Sequence, residues 1–398
     1  MKVNRVERHQ IKKSHPMFNI CNEYCFKSKN LYNFANYMIR QEFINNNKFL
    51  TYYDIDKIIK KEEPYKDIGS NSGQMTLKIL EQNWKSYFVA IKDWGQNPKK
   101  YLGKPKLPSC LDKDKGRFVW VLTNVQSKII DGYLKFSFKP LHPYSGTIKT
   151  KVEGKHMQTR IVPKKGYYVL EIVYQIEIPD ISNLQKRVLG IDIGLNNLVT
   201  TQNNFGEKPF VINGKPLKAM NTYYNKKASS IQSELMNTNK QRWSKKLNLY
   251  LRKRNNKIDH YMHNVSKWIV KYCFAFKVDT VVIGKNDGWK QENRIKNFVQ
   301  IPFERLIHQL QYKLSHEGIN VILTEESYTS KASFLDGDRL SKSEFSGKRV
   351  KRGLYKSREG TLINADVNGA GNIIRKVFPK SFEDGIEGVC LHPTIINL

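Results

Sequence analysis

Two aspartates stand in settings that call for a charge partner. Asp192 lies within VLGIDIGLNN, between Ile191 and Ile193, so the run of apolar neighbours places it inside a strand at mid-sheet. An ionised carboxylate there is costly unless a metal, a cation or a hydrogen-bond donor meets it. Asp366 lies in INADVNGAGNI, where a helix begins, and its plainest local role is an N-cap. A further source of acid is the pair Glu325 and Glu326, which ends the apolar run INVILT. Grouped carboxylates are hard oxygen donors that suit Mg²⁺ or Mn²⁺. Two such ions, about 4 Å apart, support phosphodiester hydrolysis, one activating water and the other stabilising the leaving oxygen.

For these acids to meet, several elements must be placed. RVLGIDIG and NLVTT read as short strands, followed by KPFVING, and VDTVVIG reads as another strand. IPFERLIHQLQYKLSHEG is a helix opened by Pro302 and stopped at Gly318, followed by the strand INVILTEESYTS. That β-α-β order predicts adjacent parallel strands joined by a right-handed crossover. Residues 225–275 are helical, with Leu247, Leu251, Ile258, Met262, Val265 and Ile269 on one apolar seam. Upstream, 30–63 and 74–93 carry helical periodicity, 95–116 form a Pro/Gly/Lys-rich connection, and 117–179 switch to a period of two.

The 398 residues carry 68 Lys and Arg against 36 Asp and Glu, a formal net charge of +32. With 39 % hydrophobic and 12 % aromatic residues the chain can bury a core, so the charge belongs to a folded protein and points to a polyanion, nucleic acid first. Between Lys226 and Lys271, twelve Lys or Arg face only Glu234 and Asp259, which favours a phosphate track over a solvated basic face. Its candidate contacts are Lys245, Lys246, Arg252, Lys253 and Arg254; Arg349, Arg352 and Lys356 form a second group, for which a solvated face is the equal alternative. Trp120, Tyr133, Phe136 and Phe138 stand among basic residues and offer base stacking, with a place in the core as the alternative. No apolar run approaches the roughly 20 residues of a membrane span, and a cytoplasmic protein is expected. The five scattered cysteines read as free thiols.

A strand-centre Asp followed by a hairpin, with a second Asp opening a late helix packed on the sheet, is similar to the layout of RNase H-like nucleases. More closely, GIDIGLNNLVT, the basic helical block, ESYTSKASF and NADVNGAGNI resemble the RuvC-type core of TnpB (OrfB) proteins. These are RNA-guided endonucleases of insertion sequences, related to the type V CRISPR effectors. The resemblance spans about 186–379, and upstream it is one of architecture. It implies a multidomain α+β protein: a RuvC-like, RNase H-like α/β core plus an N-terminal, β-barrel-like wedge domain with a helical recognition insert. The implied division is 1–20 and 110–185 for the wedge, 21–109 for the insert, 186–326 and 361–379 for the split core, and 380–398 for a tail. It further implies a guide (omega-type) RNA, a double-stranded DNA target with a short adjacent motif, and Mg²⁺-dependent cleavage.

Two departures from that family matter. Its zinc ribbon follows the YTS motif, but residues 327–360 here contain neither Cys nor His, so no zinc is expected at this position. And the family's middle acid falls on Gly284, in VVIGKNDGW. Asp287 is three residues on with a short side chain, and Glu304 belongs to a helix leading away. The neighbouring strand ends on Glu325 and Glu326, about 4.8 Å across. Side chains alternate, so one of the two points inward; Glu326, nearer the carboxyl end where such sites lie, is favoured. The site expected is thus Asp192, Glu326 or Glu325, and Asp366. The alternatives are a guided DNA-binding repressor with a dead site, if the glutamates are only solvated acids, and a strand transferase that needs no RNA.

Overall fold

The computed structural model describes residues 1–181, 186–285, 300–341, 344–382 and 391–398. It divides into two compact units, Lys2–Glu177 and Ile178–Leu398 with Met1.

In the first unit, β1 (Lys2–Ile11) precedes four helices, α1 (Phe18–Asn46), α2 (Tyr52–Ile59), α3 (Glu63–Ile68) and α4 (Ser70–Gln96). Five strands follow: β2 (Trp120–Thr123), β3 (Ser127–Ile130), β4 (Tyr133–Phe136), β5 (Lys155–Lys164) and β6 (Tyr167–Glu177). An antiparallel sheet runs β1-β6-β5-β2, with β3 and β4 as a separate hairpin. Helices and sheet share one core, to which Cys21, Leu31, Trp84, Trp120 and Leu170 all belong. Base stacking is thereby ruled out for Trp120 and Phe136, which are 0 % and 5 % exposed. The Trp120 ring stacks on Tyr24 at 4.5 Å and its indole donates to Ser72 Oγ at 3.1 Å. Phe138 packs against the same core, and only Tyr133 is exposed. Period two in this unit marked burial, the commoner cause of that pattern.

The second unit is built on β7 (Val188–Ile193), β8 (Asn197–Asn203), β9 (Phe210–Asn213), β10 (Thr280–Lys285), β11 (Asn320–Glu325) and β15 (Thr394–Ile396), in the order β11-β10-β7-β8-β9-β15. β7 and β8 form the expected hairpin, with Asp192 opposite Thr200. β10 is parallel to both β7 and β11, and α7 (Phe303–His316) makes the crossover, ending at Gly318 with φ +72°. The long helices α5 (Lys215–Asn239) and α6 (Lys245–Ala275) follow β9, and Ser244 caps α6 by accepting from the Leu247 amide. The tail expected at 380–398 contributes β15, parallel to β9. Residues 348–364 form a small antiparallel sheet of β12 (Lys348–Lys351), β13 (Leu354–Lys356) and β14 (Leu362–Asn364), after which α8 (Ala365–Val377) begins.

The period-two pattern divides the main sheet between two layers. Leu189, Ile191, Val281 and Ile283 join Met262, Val265, Leu306 and Leu310 from α6 and α7. Val188 and Val282, on the other face, pack on Ile373 and Ile374 of α8. Asp192 and Gly284 share the parity of Val188 and Val282, so both lie on the α8 face.

Candidate active site

Helix α8 and the sheet bring together acids far apart in sequence. Asp192 sits on β7 beneath the first turns of α8. A Cβ on Gly369 would lie 2.8 Å from Asp192 Oδ2, so a side chain there would displace the carboxylate. Asp366 enters from the start of α8. It is not the N-cap: Asn364 Oδ1 accepts from the amides of Asp366 and Val367, at 3.0 and 3.1 Å. The Asp366 carboxylate is thereby released from the capping role its position offered. Its Oδ2 accepts from Asn197 Nδ2 at 2.7 Å, and its Oδ1 lies 3.5 Å from Arg349 Nη2. Asp192, Asp366, Asn197, Thr200, Arg349 and Arg352 all line one cavity of about 250 Å³.

The space above Gly284 is occupied by Glu326. A Cβ on Gly284 would come within 2.4 Å of Glu326 Oε1, 2.6 Å of Ile373 Cδ1 and 2.8 Å of Glu326 Cγ. Register explains it. Gly284 pairs with Thr324 on parallel β11, so Glu326, two residues on, returns to the α8 face. Glu325 is held away from that space. Its Oε2 accepts from Lys376 Nζ at 2.8 Å and its Oε1 from the Ser327 amide at 2.6 Å, bonds that hold its carboxyl below the usual range. The turn after Glu326 is tied down as well. Thr329 donates its amide and its hydroxyl to the Glu326 carbonyl, at 3.2 and 2.9 Å, and Asn372 of α8 donates to the Thr329 carbonyl at 3.0 Å.

Electrostatics mark Asp192 and Glu326 as a pair under tension. Burial, then the nearby Asp366 charge, pushes the Asp192 carboxyl up to about 7, against a smaller opposing pull from Arg349. Burial, then Asp192 and Glu325, pushes Glu326 up to about 8. Glu326 Oε1 is buried with no hydrogen-bond partner among the described residues. An orphaned carboxylate oxygen beside a second raised acid is a place where a divalent cation fits: it would remove the like-charge penalty and satisfy the oxygen at once. Among the described residues no three His, Cys, Asp or Glu side chains already stand in ligating array.

The remaining expected residues fall in different places. Arg349 and Arg352 border the acids. Lys245, Lys246 and Lys253 are exposed on α6, and Arg252 is partly exposed. Arg254 is the exception to the phosphate track. Its guanidinium donates to Asn221 Oδ1 at 2.9 and 2.7 Å, to Asn255 Oδ1 at 2.8 Å and to the Gln300 carbonyl at 2.7 Å, so it is committed to internal packing. Glu304, in the first turn of α7, pairs with Lys285 at 3.6 Å. Asp287 lies outside the described residues. Asn197, Asn364 and Asn372 escaped the reading of the sequence. The signal for Asn364 was available, since Asn is as good a cap as Asp and stands two residues before it; Asn197 and Asn372 carried none.

Residues 171–290 match the family model OrfB_IS605, described as a probable transposase, and 303–373 match that of the Cas12f1-like TNB domain. The chain is 21 % identical over 384 residues to the TnpB-like protein ORF457 of Acidianus two-tailed virus, covering 88 % of this chain and 81 % of the relative. Among solved structures it resembles the protein of the Cas12f1–sgRNA–target DNA complex, with a TM-score of 0.52 and 14 % identity over 90 % of this chain and 82 % of that one. CasPhi-2 (Cas12j) bound to crRNA gives a TM-score of 0.47 and 8 % identity over 94 % and 98 %. The Cas12f1 likeness is one of fold, that of a multidomain α+β protein.

Proposed function

We propose that this chain, a protein of TnpB type, is an RNA-guided endonuclease that hydrolyses phosphodiester bonds in DNA, with Asp192, Glu326 and Asp366 as its metal-holding acids. The observation that carries the reading is the placing of Glu326 over Gly284, with an orphaned oxygen and a carboxyl pushed up by Asp192. The acid absent from β10 is supplied by the residue just past the end of β11, in the same space. When bound there, Mg²⁺ or Mn²⁺ would activate water and stabilise the leaving oxygen.

The chain's own groups have separable tasks. Asp192 and Glu326 hold protons near neutrality and give them up as positive charge enters the site. Arg349 and Arg352, on the border of the same cavity, meet the phosphates of the strand to be cut. Lys245, Lys246 and Lys253 lie along α6 as contacts to the nucleic-acid backbone, which positions without reading sequence. The partners are a guide RNA and a double-stranded DNA target bearing a short adjacent motif, and 327–360 take the zinc-ribbon position without Cys or His.

The test is cleavage of a guided target by the purified protein–RNA complex with added Mg²⁺. Asp192→Ala, Glu326→Ala and Asp366→Ala should each abolish cutting while target binding stays within a few-fold of the parent. Parent-like cutting by Glu326→Ala would end the relocated-acid reading. Equal loss of binding in all three would make these acids structural.

A further inference from the structure

We propose that Asn197 is the positioning residue for Asp366: its amide holds one carboxylate oxygen and leaves the other for the divalent cation. This rests on the reading of Asp366 as a metal-holding acid. The contact is direct, Asn197 Nδ2 to Asp366 Oδ2 at 2.7 Å, and both side chains line the cavity that Asp192 faces. The atom facing a carboxylate at that distance must be the amide nitrogen, since the amide oxygen can only accept.

The fold fixes where that amide points. Asn197 opens β8 at the end of the hairpin from β7, the strand that carries Asp192. The hairpin is tight because Gly194 has no side chain: a Cβ there would lie 2.6 Å from the Asn197 carbonyl. The next loop clamps it from outside, with the Gly214 amide donating to the Asn196 carbonyl at 2.7 Å. The side chain of Asn196 is engaged elsewhere, accepting from Lys218 Nζ at 2.8 Å. Only Asn197, of the two adjacent asparagines, reaches Asp366.

The chemistry of the residue fits the task. A neutral amide orients a carboxylate without cancelling its charge, so the acid keeps its attraction for a cation. Arg349, 3.5 Å from the other oxygen, carries a charge and would compete. Hydrogen-bond partners behind metal-binding carboxylates are worth about 10- to 100-fold in metal affinity.

The test is a Mn²⁺ titration of the full-length RNA-free protein, read by the loss of free-ion paramagnetic resonance signal, beside the half-saturating Mg²⁺ for guided cleavage. Asn197→Ala should weaken both by about tenfold or more. Target binding should not change, and high Mn²⁺ should recover cleavage. Asn197→Thr suits the strand and cannot place a donor at the same point, so it must show the same shift and serves if alanine does not fold. Parent-like metal titrations in either folded variant, with Asp366→Ala deficient, would overturn the role of Asn197 alone. Parent-like titration by Asp366→Ala would instead remove the reading on which it rests.

Discussion

Glu326 carries a testable cost. Its carboxyl stands at about 8 in the folded protein against 4.5 when solvated. Between those values the unfolded chain has lost a proton that the native state retains, so native stability is fullest below about pH 4.5 and is lost as pH rises towards 8. A shift of this size taken alone corresponds to roughly 4–5 kcal/mol at about 1.4 kcal/mol per unit. Burial is the larger cause and the Asp192 charge the second, and relaxation of the site on ionisation lowers both, so ~2 kcal/mol is the order of magnitude that Glu326 contributes. Glu326→Gln keeps the shape and cannot ionise. For a unit of about 200 residues, ~2 kcal/mol corresponds to roughly 4–8 °C in Tm. The assay is thermal unfolding of RNA-free protein in a chelator at pH 5 and pH 8.5. The parent should lose that much more Tm than Glu326→Gln over the interval. Mg²⁺ at pH 8.5 should then raise the Tm of the parent more than that of the variant. Parallel pH curves, with equal Mg²⁺ shifts, would refute the placement of a raised acid over Gly284. Groups elsewhere cancel in the difference, and no cleavage assay is involved.

Four further outcomes follow from the same geometry. Because Asp192 and Glu326 must deprotonate to take a cation, half-saturating Mg²⁺ for cleavage should fall steadily from pH 6 to pH 8.5; a flat profile would contradict the raised acids. Gly284→Ala puts a Cβ within 2.4 Å of Glu326 Oε1 and should lower the cleavage rate by roughly 10- to 100-fold without loss of target affinity, since small misplacements at a reacting centre cost that much. Glu325→Ala breaks the Lys376 pair yet should cut within a few-fold of the parent, the pair being largely solvated; inactivity would shift the ligand role to Glu325. Arg254→Ala should destabilise the protein by about 2 kcal/mol, seen in thermal unfolding, by orphaning its internal acceptors, while Lys253→Ala should weaken nucleic-acid binding with unchanged Tm.

Much of this protein is legible along the chain. The period of two around Asp192, the β-α-β order with Pro302 and Gly318 at the helix ends, and the apolar seam of α6 are local patterns that burial imposes on any sheet packed between helices. The absence of an acid at position 284 and of Cys or His in 327–360 are equally plain. Other features are properties of register and packing, which no single segment contains. Glu325 and Glu326 are chemically alike, and their separation follows from the pairing of Gly284 with Thr324 and from Lys376 reaching back from α8. Asp366 and Asn364 are both good caps, and the backbone turn at the head of α8 selects Asn364 and frees the acid. Arg254 and Lys253 are neighbours in one basic run, but helical geometry turns Arg254 inward towards Asn221 and leaves Lys253 exposed. The same holds for Asn197, whose meeting with Asp366 joins residues 169 positions apart. Composition and periodicity determine which elements form and which face each buries. Which of two equivalent side chains enters the site depends on contacts made across the sheet and helix, and those exist only after the chain has folded.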